Sequence, residues 1–146
     1  MTREVVVDAS VVIKTLLSEE HQRQADALLC YYASGSMLAP SHLASEVTNA
    51  LYQRTRRRSD GITLDQAERG IARFLGFAIT LLDDPQLYAT ALQFAAQHGL
   101  PDAYDSLYVV LALVLGADMW TADQALLRGL AGTAPWVRWI GDFPLD

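Results

Sequence analysis

The stretch EVVVDASVVIK, Glu4 to Lys14, decides how the rest of this chain is read. Val5, Val6 and Val7 run without an alternating polar residue, which fits a short strand covered on both faces, as in a parallel sheet flanked by helices. After Asp8 a short helix is expected from Ser10 to about Ser18, so the chain turns away from the strand and comes back. A strand followed at once by a helix opens a βαβ unit. Asp8 then stands at the carboxyl end of its strand, the edge of an open α/β sheet where ligands bind. A carboxylate there raises the question whether others arrive beside it.

Working outward, HQRQADALLCYYASG reads as a second helix that stops at Gly35, and MLAP, Met37 to Pro40, as a brief apolar strand. Ser41 is a good N-cap for SHLASEVTNALYQRTRRR, in which Leu43, Val47 and Leu51 recur at helical spacing. Asp60 and Gly61 break that helix and Thr63 starts another running to about Phe77, so a helical hairpin follows the second strand. ITLLDD fits a short strand or a helix end, and DPQLYATALQFAAQHG a helix with Pro85 in its first turn and Gly99 at its stop. A helix from about Ala103 to Leu115, a strand ADMWT, a helix from Ala122 to Leu130 and a last strand WVRWI complete the alternation. Alternating strands and helices predict an α/β fold, a parallel sheet with helices on both faces. No linker, repeat or low-complexity tract interrupts residues 1–146, so one domain is expected.

A domain of this length buries roughly 68–70% of its unfolded surface and needs no disulfide or structural metal to hold it together. With 51% hydrophobic and 19% charged residues the chain is not disordered, and its apolar content suggests a covered face such as a dimer or partner surface. Tyr31 and Tyr32, with Leu28 and Leu29, are a candidate for that surface. The net charge of −6 is not that of a general nucleic-acid binder. Cys30 is the only cysteine, which excludes an intrachain disulfide or a thiolate metal site and makes the cytoplasm the simplest compartment. Glu4 and Asp8 interrupt any signal-peptide core. The longest apolar stretch, Leu107 to Ala117, falls short of the roughly 20 residues of a bilayer span and is read as a buried core helix.

Asp8, Glu46, Asp105 and Asp123 stand out because each lies at a strand end or in a first helical turn, all belonging to the carboxyl edge of the sheet. Each also has a plain explanation, since acids in first turns cap helices and interact favourably with the macrodipole. Asp102 with Asp105, and Thr121 with Gln124, have the spacing of capping boxes. Their conjunction is harder to explain that way: clustered carboxylates repel, and a divalent cation with oxygen ligands is the usual compensation. Without a Cys pair or an HExxH helix the implied ion is hard, Mg²⁺ or Mn²⁺.

VVDASVVIK, the ASEVTNAL helix, the YDSLYVVLA helix and the WTADQALL turn resemble, in order and spacing, the acidic signatures of the PIN domain as found in VapC-type toxins of bacterial toxin-antitoxin modules. The resemblance covers essentially the whole chain. It implies a three-layer α/β/α fold and a metal-dependent endoribonuclease, dimeric and held inactive by a small antitoxin, whose product carries a 5′-phosphate. It would make Asp8, Glu46, Asp105 and Asp123 the acidic site, with Asp8, Asp105 and Asp123 on the metal and Ser10 and Thr121 as neighbouring hydroxyls; Asn49 follows Glu46 by one turn. Asp102, one turn before Asp105, departs from the pattern as an additional acid.

Contacts to RNA would have to be local in so acidic a chain. RTRRR supplies the only dense basic run, with Arg54, Arg56, Arg57 and Arg58 either meeting phosphates or simply lying favourably at a helix C-terminus. His21, His42 and His98 show no metal spacing and read as surface or capping residues; Trp120, Trp136 and Trp139 read as core. Two other readings compete: an aspartyl-phosphate phosphotransfer domain, disfavoured because Ser10 stands where a second Asp is needed, and a catalytically silent PIN-fold scaffold.

Overall fold

A computed structural model describes residues 3–146 of the chain. In chain order the elements are β1 (Val5–Val7), α1 (Ala9–Leu17), α2 (Gln22–Tyr31), β2 (Met37–Pro40), α3 (Leu43–Thr55), α4 (Leu64–Gly76), β3 (Ile79–Leu82), α5 (Gln86–His98), α6 (Tyr104–Leu115), β4 (Asp118–Thr121), α7 (Gln124–Leu130) and β5 (Val137–Trp139). The strands form one sheet in the order β3-β2-β1-β4-β5, with every adjacent pair parallel. From β1 the chain steps outward to β2 and β3, then returns to the other flank of β1 as β4. Right-handed crossovers therefore lay α1 to α4 over one face and α5 to α7 over the other, giving the three-layer α/β/α arrangement. The strand order reverses between β1 and β4, and the mouth of that switch point is where Asp8 ends its strand.

The central strand is buried on both sides: Val5, Val6 and Val7 are at most 1% exposed. The hairpin of α3 and α4 closes at two glycines. A Cβ on Gly70 would come within 3.1 Å of Leu51, so the absence of a side chain lets the two helices approach. A Cβ on Gly61 would collide with the Arg57 carbonyl oxygen, which pins the turn. Thr63 starts α4 as expected, in a full capping box with Gln66.

Several local expectations are corrected. Ser41 does not cap α3; its N–H donates to the Leu82 carbonyl at 2.8 Å, tying the end of β2 to β3, and His42 takes the cap position without a side-chain bond. α2 stops at Tyr31 rather than Gly35. Leu28 and Leu29 are 0% and 6% exposed and belong to the core, so they are not surface residues. α6 is not buried throughout: Leu113, Val114 and Leu115 are exposed.

The basic run is also not one helical face. α3 ends at Thr55, and Arg54 is only 8% exposed, its guanidinium donating to Glu19 at 2.5 Å and lying 4.0 Å from Asp60. Arg57 pairs with Asp60 at 3.1 Å, Arg56 lies over the Tyr52 ring, and Arg58 is exposed. Glu19 is partly solvated, so the Arg54 pair should follow the roughly 1.5–3 kcal/mol of hydrogen bonds to charged groups rather than the larger loss of a fully buried pair. Arg54→Ala should lower stability by about that amount in urea titration while Arg58→Ala changes it by less than about 0.5 kcal/mol. Equal effects would remove the special position of Arg54.

Candidate active site

At the switch point Asp8 is 3% exposed and is held from the end of β4 and the first turn of α1. Its Oδ2 accepts the Thr121 hydroxyl at 2.6 Å and the Ser10 hydroxyl at 3.1 Å, while Oδ1 accepts the Ser10 N–H at 3.4 Å and so caps α1. Each hydroxyl is itself fixed by the turn after β4: Ala122 N–H donates to Ser10 Oγ at 2.9 Å and Asp123 N–H to Thr121 Oγ1 at 3.0 Å. Two residues 113 apart in sequence thus meet because β1 and β4 are neighbours. Burial pushes the Asp8 carboxyl up to about 6, with the Glu46 charge adding to it and the Thr121 and Ser10 hydrogen bonds opposing it.

Glu46 arrives on the first turn of α3. Its Oε1 accepts the Tyr108 hydroxyl at 2.7 Å and lies 3.2 Å from His42 Nε2, one turn earlier on the same helix. Tyr108 is fully buried, and burial first, with the charges of Asp8 and Glu46 after it, pushes its ionisation far up, so it remains a donor. His42 Nε2 is within ion-pair reach but lacks the alignment of a hydrogen bond. Its ring packs edge-on against Tyr108, with centroids 5.0 Å apart.

Asp105 lies in the first turn of α6 and is the point at which the acids meet electrostatically. Its carboxyl is pushed up to about 7, by burial first and then by the charges of Asp8, Asp102, Asp123 and Glu46. Asp123 caps α7 through the Leu126 N–H at 3.1 Å, which corrects the expectation of a cap formed by Thr121 with Gln124. Asp102 is exposed and accepts the Tyr104 N–H at 3.0 Å rather than completing a box with Asp105. Asn49 is exposed, grouped with Ser45, Thr48 and Tyr52 around a shallow depression, and has no hydrogen bond to any of these acids. Sequence reasoning missed His42 and Tyr108. The first had a signal in its four-residue spacing from Glu46; the second had one in its three-residue spacing from Asp105.

A PIN domain family model matches residues 6–136. The chain belongs to the PIN domain family. The crystal structure of PAE2754 from Pyrobaculum aerophilum is similar in fold, with a TM-score of 0.69 at 22% identity over 95% of this chain and 85% of that one. No curated protein matches the chain. PIN domains are typically nucleases that use divalent metals. The donors of this PIN domain fit such an ion in chemical type, being carboxylate oxygens whose mutual repulsion a cation would relieve. Among the described residues no three His, Cys, Asp or Glu side chains stand close enough to hold one ion.

Both raised carboxyls have folded-state values above their unfolded ones, so the stability they contribute is full below about 3.8 and is lost as pH rises through about 6 to 7. In EDTA, Asp105→Asn should therefore melt higher than wild type near pH 8, and the advantage should shrink toward pH 5. A mutant whose melting temperature falls with pH as steeply as that of wild type would take Asp105 out of the repelling cluster.

Proposed function

We propose that this PIN domain is a Mg²⁺- or Mn²⁺-dependent endoribonuclease and the toxin of a toxin-antitoxin pair, a homodimer in the cytoplasm restrained by a small antitoxin. The observation that carries the nuclease reading is Asp105, whose charge is opposed at once by Asp8, Asp102, Asp123 and Glu46. Helix capping accounts for Asp8 and Asp123 one at a time, but not for the repulsion that burdens Asp105 from four sides, which a cation would relieve. The toxin, antitoxin and dimer parts rest on the resemblance of the acidic signatures to VapC-type toxins. Among the described residues no helix is long and apolar enough to cross a membrane.

Asp8 and Asp105 are the proposed direct ligands and Asp123 a further one, with Glu46 as ligand or as the base that orients water. A bound divalent ion lowers the pKa of an attacking water and offsets charge on the scissile phosphate. The protein's own part is orientation. Thr121 and Ser10 fix Asp8 through Oδ2, which leaves Oδ1 the less engaged oxygen. Tyr108 holds Glu46 by Oε1, which leaves Oε2 to accept a proton from water. Ser10 in place of a second Asp, with its hydroxyl on the Asp8 carboxylate, works against phosphorylation of Asp8.

Purified protein should cleave single-stranded or structured RNA with Mg²⁺ or Mn²⁺ and stop on chelation, and Asp8→Asn should lose at least about 100-fold in rate. Cleavage that survives EDTA, or a fully active mutant, would overturn the mechanism; a folded protein that cuts no RNA would favour the silent scaffold. Within the basic run Arg54 is engaged by Glu19, while Arg56, Arg58 and Arg57, the last in an exposed pair with Asp60 that a phosphate could displace, are the charges available for RNA. Removing each should weaken RNA binding and flatten its salt dependence by about one unit of slope for every phosphate that the arginine had neutralised. An unchanged slope would assign the run to the helix end alone.

A further inference from the structure

The acids leave unexplained a second feature of the same edge. Beyond His42, between the ends of β2 and β3 and the helices α5 and α6, a cavity of about 200 Å³ is lined by, among others, His42, Asp83, Asp84, Tyr88, Tyr104 and Leu107. It is smaller than the roughly 300–1,000 Å³ of pockets for drug-sized ligands, so it suits one planar ring system. Tyr88 and Tyr104 are 49% and 64% exposed, and a shallower depression beside the cavity shares both rings with Leu107. The Tyr88 hydroxyl donates to Asp83, the Tyr104 backbone is held by Asp102, and the Tyr104 ring centroid lies 5.8 Å from that of His42.

The cavity and the acids share two supports. α6 carries Asp105 and Tyr108 toward the acids, while Tyr104, Leu107 and Leu111, at spacings of three and four, line the cavity. His42 lines the cavity and places its Nε2 3.2 Å from Glu46. A chain lying with a phosphate at the acids therefore has its next group at the cavity. The charge there selects which group. Neither Lys nor Arg lines it, and Asp83 and Asp84 repel a phosphate but accept hydrogen bonds from amino groups. Aromatic rings beside carboxylate acceptors are what an unstacked base with an amino-bearing edge requires.

Building on the ribonuclease reading, we propose that this cavity is a base-binding subsite. It takes one unstacked adenine, cytosine or guanine next to the cleaved phosphate, stacked on Tyr104 or Tyr88, its amino edge donating to Asp83 or Asp84. Uracil, which lacks the amino group, is disfavoured.

The test uses the full-length protein in EDTA and the four ribonucleosides, which carry no phosphate and so do not probe the acids. Saturation-transfer NMR should detect adenosine, cytidine and guanosine binding more tightly than uridine. Tyr104→Ala and Tyr88→Ala should each weaken binding on the order of tenfold, the scale of one base–aromatic stack. Tyr104→Phe should retain it, and Asp83→Asn and Asp84→Asn together should erase the discrimination against uridine. Both tyrosines are exposed, so melting curves should show the variants folded. With oligoribonucleotides and Mn²⁺, wild type should cut beside the favoured bases and Tyr104→Ala should cut without that preference. Equal binding of all four nucleosides, or binding indifferent to both tyrosines, overturns the subsite even if RNA is cleaved. Nucleoside binding that depends on Tyr104 in a protein that cuts no RNA upholds the base site and removes the nuclease reading instead.

Discussion

The buried carboxylate of Asp8 is the constraint around which the rest of the molecule is arranged. An ionised group 3% exposed is costly unless hydrogen bonds or a counter-charge offset its lost hydration. The protein answers from its own sequence with the hydroxyls of Ser10 and Thr121, each locked by a backbone N–H of the turn after β4. That answer requires β1 and β4 to be adjacent and in register, so the polar site and the order of the sheet depend on each other. The hydrogen bonds do not offset burial fully, because the carboxyl is still held near 6. The remaining cost is the physical opening for a cation.

α6 distributes that constraint. Its buried half packs Tyr108 and Val109 into the core, and the same turn directs a phenol hydroxyl onto Glu46. One helix therefore anchors the core, fixes an acid contributed by another helix and, three or four residues along its neighbouring stripe, lines the cavity proposed to accept a base. Its apolar end, Leu113 to Leu115, is exposed. That exposed end and the exposed Tyr31 show that the apolar content of the chain is divided between core and surface.

The acidity of the chain acquires a local meaning in this arrangement. Negative charge is gathered at the carboxyl edge of the sheet, where Asp105 feels four other acids, whereas the basic run lies at the far end of α3. Part of that run is structural, since Arg54 serves to join α3 to Glu19 after α1. A substrate contacting both regions would meet a few separate positive groups rather than a continuous basic face, so its binding would depend on the site and less on overall charge.

The sequence by itself determined the sheet class and the placement of acids along it. An unalternated valine run must be covered on both faces, and a residue directly after such a strand must lie at its carboxyl edge. Strong local signals also held their places: Thr63 with Gln66 starts α4, and Gly99 ends α5 in the left-handed conformation. What only the tertiary structure decided are the partners that come from far along the chain. Ser41 was drawn from its cap by Leu82, and Arg54 was drawn from the basic run by Glu19. Leu28 and Leu29 were buried by packing that a helical pattern alone does not assign, and Tyr108 reached Glu46 across 62 residues. The reason is one of range: propensity and periodicity act within a turn or a strand, whereas the partners of a buried polar group are set by which strands the crossovers bring side by side.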